Sequence, residues 1–245
     1  MKRNKNTGLF ENVTLQRKRA LGAGFLIIIG MIAGMLSISP SVDSSNYLTT
    51  VSDQQNQLRT AALFQFLLVP TYIGFALILF PLLRKYNESL SLGFLSFRII
   101  AGVFQIIALL ILPLFILLSQ HFLNSTIPNP SFYPIIGELL QHFRDLSNHV
   151  GVMLATGIGN LFLYYIFYKT KWIPRWLSLW GLLANILAML ASIFILFSLI
   201  DVISSYFVLL SIPIVLEEIT LAAWLIFRGF NISIINKTRI KNKII

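Results

Sequence analysis

LGFLSFRIIAGVFQIIALLILPLFILL, residues 92–118, holds a single charged side chain, Arg98, in 27 residues. At about 1.5 Å of rise per residue, a helix of that length exceeds the roughly 30 Å hydrocarbon core of a bilayer. No water reaches that depth, so the backbone must hydrogen-bond to itself, and the stretch reads as a membrane-spanning helix. Five further stretches share its character: 20–39 and 61–83 before it, then 146–168, 177–199 and 206–227 after it. Each is about 20 residues or longer, the length a span requires. The expected fold is all-α: a polytopic membrane protein built as a bundle of six transmembrane helices.

Composition agrees. The chain is 56% hydrophobic and 11% charged, with a mean hydropathy of +0.79, far from the roughly 25% charged residues of soluble domains. A net charge of +10 invites a nucleic-acid reading, but its distribution argues against one. Sixteen of the 19 Lys and Arg fall in the two terminal segments and in the loops after the second and fourth spans. Only Arg59 and Arg144 fall on the other side, and Arg98 lies within a span. This asymmetry is the positive-inside signal; it places both termini in the cytoplasm and makes the lipid bilayer, not nucleic acid, the partner of the basic residues. There is no cysteine, which excludes disulfides, thiolate chemistry and Cys-type zinc sites. The first apolar run is too long for the roughly 7–15 residues of a secretory h-region, so it reads as a retained helix.

The domain reading is a basic cytoplasmic tail at 1–19, a transmembrane domain at 20–230 and a second basic cytoplasmic tail at 231–245. The loops 40–60 and 119–145 then lie outside. Within them Ser41-Val42-Asp43-Ser44-Ser45-Asn46 is polar and expected to be mobile, and Pro128-Asn129-Pro130-Ser131 reads as a turn. Pro134 suits the first position of a helix, and the pattern stays helical from there into the fourth span. Tyr168, Trp172, Trp176 and Trp180 cluster as an interfacial aromatic belt.

Ionisable groups at membrane depth are costly and each needs a reason. Glu217 and Glu218 lie about 15 Å from the boundary marked by Arg228, and Arg98 about 9 Å deep on the same rise per residue. Arg98 and Glu218 can meet if their helices are neighbours; otherwise Arg98 snorkels to the surface. Gly102 and Gln105 extend the face of Arg98, and Gln65 and Asn185 add amides on other helices. Stepping about 100° per residue from Glu138 brings His142, Asp145, His149, Thr156 and Asn160 within an arc of about 60°. Such a stripe is expected to face the bundle interior or a wet cleft. His142 and His149 are candidate metal ligands with Glu138 or Asp145. They stand about 10.5 Å apart along one helix, so one ion would need His121 or a residue from another loop.

Four motifs carry a resemblance. They are Arg19-Ala20-Leu21-Gly22, Phe97-Arg98-Ile99-Ile100, Ile173-Pro174-Arg175-Trp176-Leu177, and a closing run in which Glu218 precedes Trp224 by six, followed by Arg228, Gly229 and Phe230. Together they resemble a bacterial membrane family catalogued as domain of unknown function 4386. The resemblance spans nearly the whole chain. It implies a six-helix bundle in a bacterial inner (plasma) membrane and no known activity. One departure is Ala101, where the resemblance implies an acidic residue shortly after the arginine.

Phosphate loops, nucleophile elbows and His-Glu-x-x-His are missing from the sequence, and no cofactor is expected. The leading reading is a non-catalytic multi-pass protein whose polar interior binds or passes a small solute or ion. A structural or partner-binding protein remains open beside it. So does a metal-dependent membrane hydrolase built on the outer His and carboxylate residues.

Overall fold

The computed structural model describes residues 5–126, 131–202 and 204–231. All regular structure among them is helical. Helix α1 spans Lys5–Leu36 and is followed by two short helices, α2 (Pro40–Asp43) and α3 (Tyr47–Asp53). Then come α4 (Gln55–Leu83), α5 (Glu88–Leu123), α6 (Phe132–Asp145), a π-helical segment (Leu146–Val152), α7 (Met153–Thr170), α8 (Arg175–Leu196) and α9 (Ser205–Phe227). Six of the helical runs are long and apolar enough to cross a membrane, with α6, the π segment and α7 forming a single run.

Local chemistry sets several boundaries. The Asn87 side chain accepts from the Leu90 N–H at 2.9 Å and starts α5; Ser204 does the same for Phe207 at 3.2 Å and starts α9. Each satisfies a backbone donor that the first turn leaves free. At the other end of α9, Gly229 adopts φ +71° and its N–H bonds to Trp224 O at 2.9 Å, a left-handed stop that glycine accepts without steric cost.

The long helices pack as a closed ring in the order α1, α4, α5, α7, α8, α9 and back to α1. Closure depends on the α1–α9 seam. There Arg17 donates to the carbonyls of Ile226 at 2.5 Å and Leu225 at 3.4 Å, satisfying acceptors that the last turn of α9 cannot use itself. Both described ends therefore lie on one face, called here the terminal face; the opposite one is the distal face. The ring is apolar outside, with Phe25, Ile32, Leu110 and Phe227 exposed, while Gln65, Arg98, Gln105, Asn160, Asn185 and Glu217 are buried. This inverts a soluble protein's surface, as expected where lipid is the outer solvent.

Two expectations need correction. Residues 41–46 are not a mobile loop: Ser41 and Val42 are buried, and α2 and α3 form a small cap. Val42, Tyr47, Val51 and Leu58 recur at near-helical spacing and pack on Ile111, Leu112 and Phe115 of α5, so the segment has its own apolar face. The cap is tied down by Tyr47 Oη donating to Pro134 O at 2.9 Å, Gln141 Nε2 to Val42 O at 2.6 Å and Ser119 Oγ to Leu48 O at 2.5 Å. Second, Trp172 is not a lipid-facing belt residue; it is 1% exposed and packs among Phe167, Ile173 and Phe230. Within the basic tail expected at 1–19, α1 is already helical from Lys5. Residues 128–130 of the expected turn and 232–245 of the second tail lie outside the described residues.

Candidate functional site

Helices α5 and α7 meet closely because Gly159 has no side chain; a Cβ there would stand 3.3 Å from Phe97 Cβ and 3.4 Å from Phe94 O. One residue further on, Asn160 points at Arg98. Arg98 Nη2 donates to Asn160 Oδ1 at 2.6 Å, Asn160 Nδ2 donates to Asn185 Oδ1 at 2.8 Å, and Asn185 Nδ2 donates to Gly181 O at 2.7 Å. This chain ties α5, α7 and α8 together. The guanidinium also lies 4.9 Å from the Phe75 ring centroid, 5.6 Å from Phe94 and 5.7 Å from Tyr72, an aromatic cradle that stabilises a desolvated cation. Arg98 is 7% exposed. It does not snorkel.

One helical turn past Asn160, Tyr164 Oη donates to Glu217 Oε2 at 2.6 Å and joins α7 to α9. Glu217 is fully buried. Its second oxygen and Arg98 Nε are buried without a hydrogen-bond partner. Arg98 and Glu218 do not form an ion pair: among the described residues Glu218 makes no hydrogen bond or salt bridge, and the nearer acceptor, Asn160, takes the guanidinium. Arg98 and Glu218 instead share the wall of a cavity of about 230 Å³, with Thr71, Tyr72, Asn160 and Tyr164. A second cavity of about 340 Å³ adjoins it through Gly34, Leu68 and Tyr72 and extends to Ser39 and Asp43 at the distal face. Gln65, Gln105, Asn148 and His149 supply polar groups there, and Gln65 Nε2 donates to Asn148 Oδ1 at 3.3 Å. Arg144 borders the distal end, paired with Asp43 at 2.5 Å and Asp145 at 3.1 Å.

The expected single stripe on the fourth span is divided. Glu138 and His142 are exposed, Asp145, His149 and Thr156 are half-buried, and Asn160 is buried. The cause is the π-helical segment between them, which turns less per residue than an α-helix and so rotates Asn160 off the face of Glu138. Thr156 bonds back to Val152 O at 2.8 Å, and His149 packs edge-on to Phe207 of α9 with centroids 5.4 Å apart. His121 sits in the last turn of α5. Among the described residues, no three His, Asp or Glu side chains come together as a metal set.

Tyr72, Asn148, Tyr164 and Arg17 escaped sequence reasoning. A signal existed for Tyr164, four residues after Asn160 and hence on the same face. Arg17 looked like one more tail charge.

Of the residues that carry the resemblance, Arg98 and Glu218 belong to this cavity, and others lie at the terminal face. The α7–α8 turn with Pro174 and Arg175 meets the end of α9, where Asn231 N–H donates to Trp172 O at 2.8 Å and Phe230 lies 6.0 Å from Phe167. Trp224, Arg228 and Gly229 border the same place. A Cβ on Gly229 would come within 2.9 Å of Arg17 Nη1. On α1, Arg19 Nη1 donates to Gln16 Oε1 at 3.5 Å, and a Cβ on Gly22 would meet Ile78 Cδ1 at 3.1 Å.

An apolar exterior, six spans in a closed ring and a hydrogen-bonded polar interior define a multi-pass integral membrane protein. The chain belongs to the family described as domain of unknown function (DUF4386), whose model matches residues 22–229. No curated protein and no solved structure matches it.

Proposed function

We propose that the bundle holds a binding site for a small polar solute or ion at mid-depth, reached from the distal face. The observation that carries this reading is the polar wall around Arg98. A guanidinium, an amide, a phenol and a free carboxyl converge on a cavity of about 230 Å³, many times the roughly 10–15 Å³ that one water needs. A solute with an anionic end toward Arg98 and a donor toward Glu218 fits the wall, and Gln65, Gln105 and Asn148 line its approach.

Asn185 takes a packing role in this reading: it is fully buried, bonded to Asn160 and Gly181, and stands outside the cavity wall. The protein is not an enzyme in this reading; a metal-dependent hydrolase would need ligands that the described residues do not assemble. The terminal face is then cytoplasmic, on the distribution of Lys and Arg, and the membrane a bacterial plasma membrane, as the family resemblance implies.

A thermal-shift screen of detergent-purified protein against inorganic ions, carboxylates and zwitterions tests the site. A true ligand at about 100 times its Kd adds about 2.7 kcal/mol of stability, and Arg98→Gln should abolish that gain. Stabilisation that survives Arg98→Gln unchanged, or no stabilisation by any compound, would sink the reading.

A further inference from the structure

The terminal face carries a separate cavity of about 470 Å³, between the α7–α8 turn and the end of α9. Lys171, Arg175 and Arg228 supply three cations to its wall, which holds no acidic side chain among the described residues. Trp172 and Trp224 also line it, and the indole Nε1–H of each is buried without a hydrogen-bond partner. Trp172 is 1% exposed, so water does not serve its N–H. Helix α8 begins at Arg175, and its N-cap, Pro174, offers no side-chain acceptor. The first turn of this 22-residue helix therefore adds a partial positive charge to the same rim.

The cavity is built, not incidental. Lys171 ends α7 in the left-handed conformation at φ 59°, Arg175 stacks 5.2 Å from the Tyr168 ring centroid, and the Asn231 N–H bonds to Trp172 O at 2.8 Å. Its walls come from two of the runs on which the resemblance rests, Ile173-Pro174-Arg175 and Trp224 to Phe230. It lies where α7 and α9 end and α8 starts, at the level expected for lipid headgroups.

We propose that this cavity binds a phosphoryl group. Three cations without a carboxylate select an anion. Arginine forks match phosphate oxygens, and the unpaired N–H groups in the first turn of α8 add donors at the same rim. The phosphoryl group belongs either to an anionic lipid headgroup or to a free phosphate. The site is independent of the Arg98 cavity, so failure of one leaves the other standing.

The test is binding to full-length protein in a neutral detergent, followed by tryptophan fluorescence and calorimetry. The probes are dioctanoyl phosphatidylglycerol, dioctanoyl phosphatidylcholine and inorganic phosphate. Saturable binding of phosphatidylglycerol well above phosphatidylcholine is expected. Inorganic phosphate binding as well would assign the site to the free group, and phosphatidylglycerol alone would assign it to lipid. Arg175→Gln with Arg228→Gln should weaken binding by about tenfold or more, the effect of losing charge-assisted bonds. Arg175 and Arg228 are exposed, so the double variant keeps the core intact and tests the site directly. Equal affinity for both lipids with no phosphate binding, or a double variant that binds like the parent, overturns the proposal.

Discussion

Asn160→Ala removes two bonds at once: the acceptor of Arg98 at 2.6 Å and the donor to Asn185 at 2.8 Å. The first is charge-assisted and worth about 1.5–3 kcal/mol, the second about 1 kcal/mol. Side-chain bonds between membrane helices average only about 0.6 kcal/mol, because the unfolded chain in lipid also finds partners. The loss should therefore lie between about 1 and 4 kcal/mol, toward the lower half because the cavity beside Arg98 admits water. The informative quantity is the coupling. Arg98→Met, which keeps the stem and drops the charge, should cost less when Asn160 is already alanine, since no bond is left to lose. A double-mutant cycle read by reversible unfolding in mixed micelles should give a coupling of about 0.5–3 kcal/mol. The matching cycle between Arg98 and Glu218, which share a cavity but no bond, should give a smaller value. Additivity of Arg98 and Asn160 within about 0.5 kcal/mol would refute the network, and a larger coupling to Glu218 would mean that the guanidinium prefers the carboxyl.

Gly181→Ala puts a Cβ against the Tyr164 ring and should displace the phenol from Glu217, lowering stability by about 1–3 kcal/mol; an unchanged melting curve would show that the ring moves freely. Burial first and Glu138 second raise the Tyr47 pKa above its ordinary value, so its share of stability is complete below about pH 10 and is lost as pH rises through the raised value. The protection of α3 amides, after correction for base catalysis of exchange, should accordingly fall in strong alkali, and Tyr47→Phe should remove that fall in protection along with the bond to Pro134. Because the chain has no cysteine, Arg59→Cys and Arg84→Cys report sidedness cleanly. An impermeant maleimide should label the first in intact cells and the second only after permeabilisation, and the reverse pattern would invert the proposed topology.

Much of the fold was legible because the bilayer constrains sequence so strongly. A span must be long, apolar and helical to satisfy its backbone, so six spans could be counted from residues 20 to 227 without any knowledge of packing. Arg98, Asn160, Glu217 and Glu218 stood out for the same reason: a polar group at that depth is conspicuous against a background of Leu and Ile.

What lay beyond the sequence depended on which helices became neighbours and how each was rotated. One π-helical segment turned Asn160 away from His142, and no residue in Leu146–Val152 announces that change of pitch. Pairing was likewise undecided: Arg98 had several acceptors within reach, and only the closeness of α5 and α7 at Gly159 gave it Asn160 rather than Glu218. Trp172 and Arg17 read as an interfacial aromatic and a tail charge, yet closure of the ring buried the first and set the second on the end of α9. A sequence fixes how much polarity a membrane helix carries, whereas the partner of each polar group is decided by distances of a few ångströms between elements far apart in the chain.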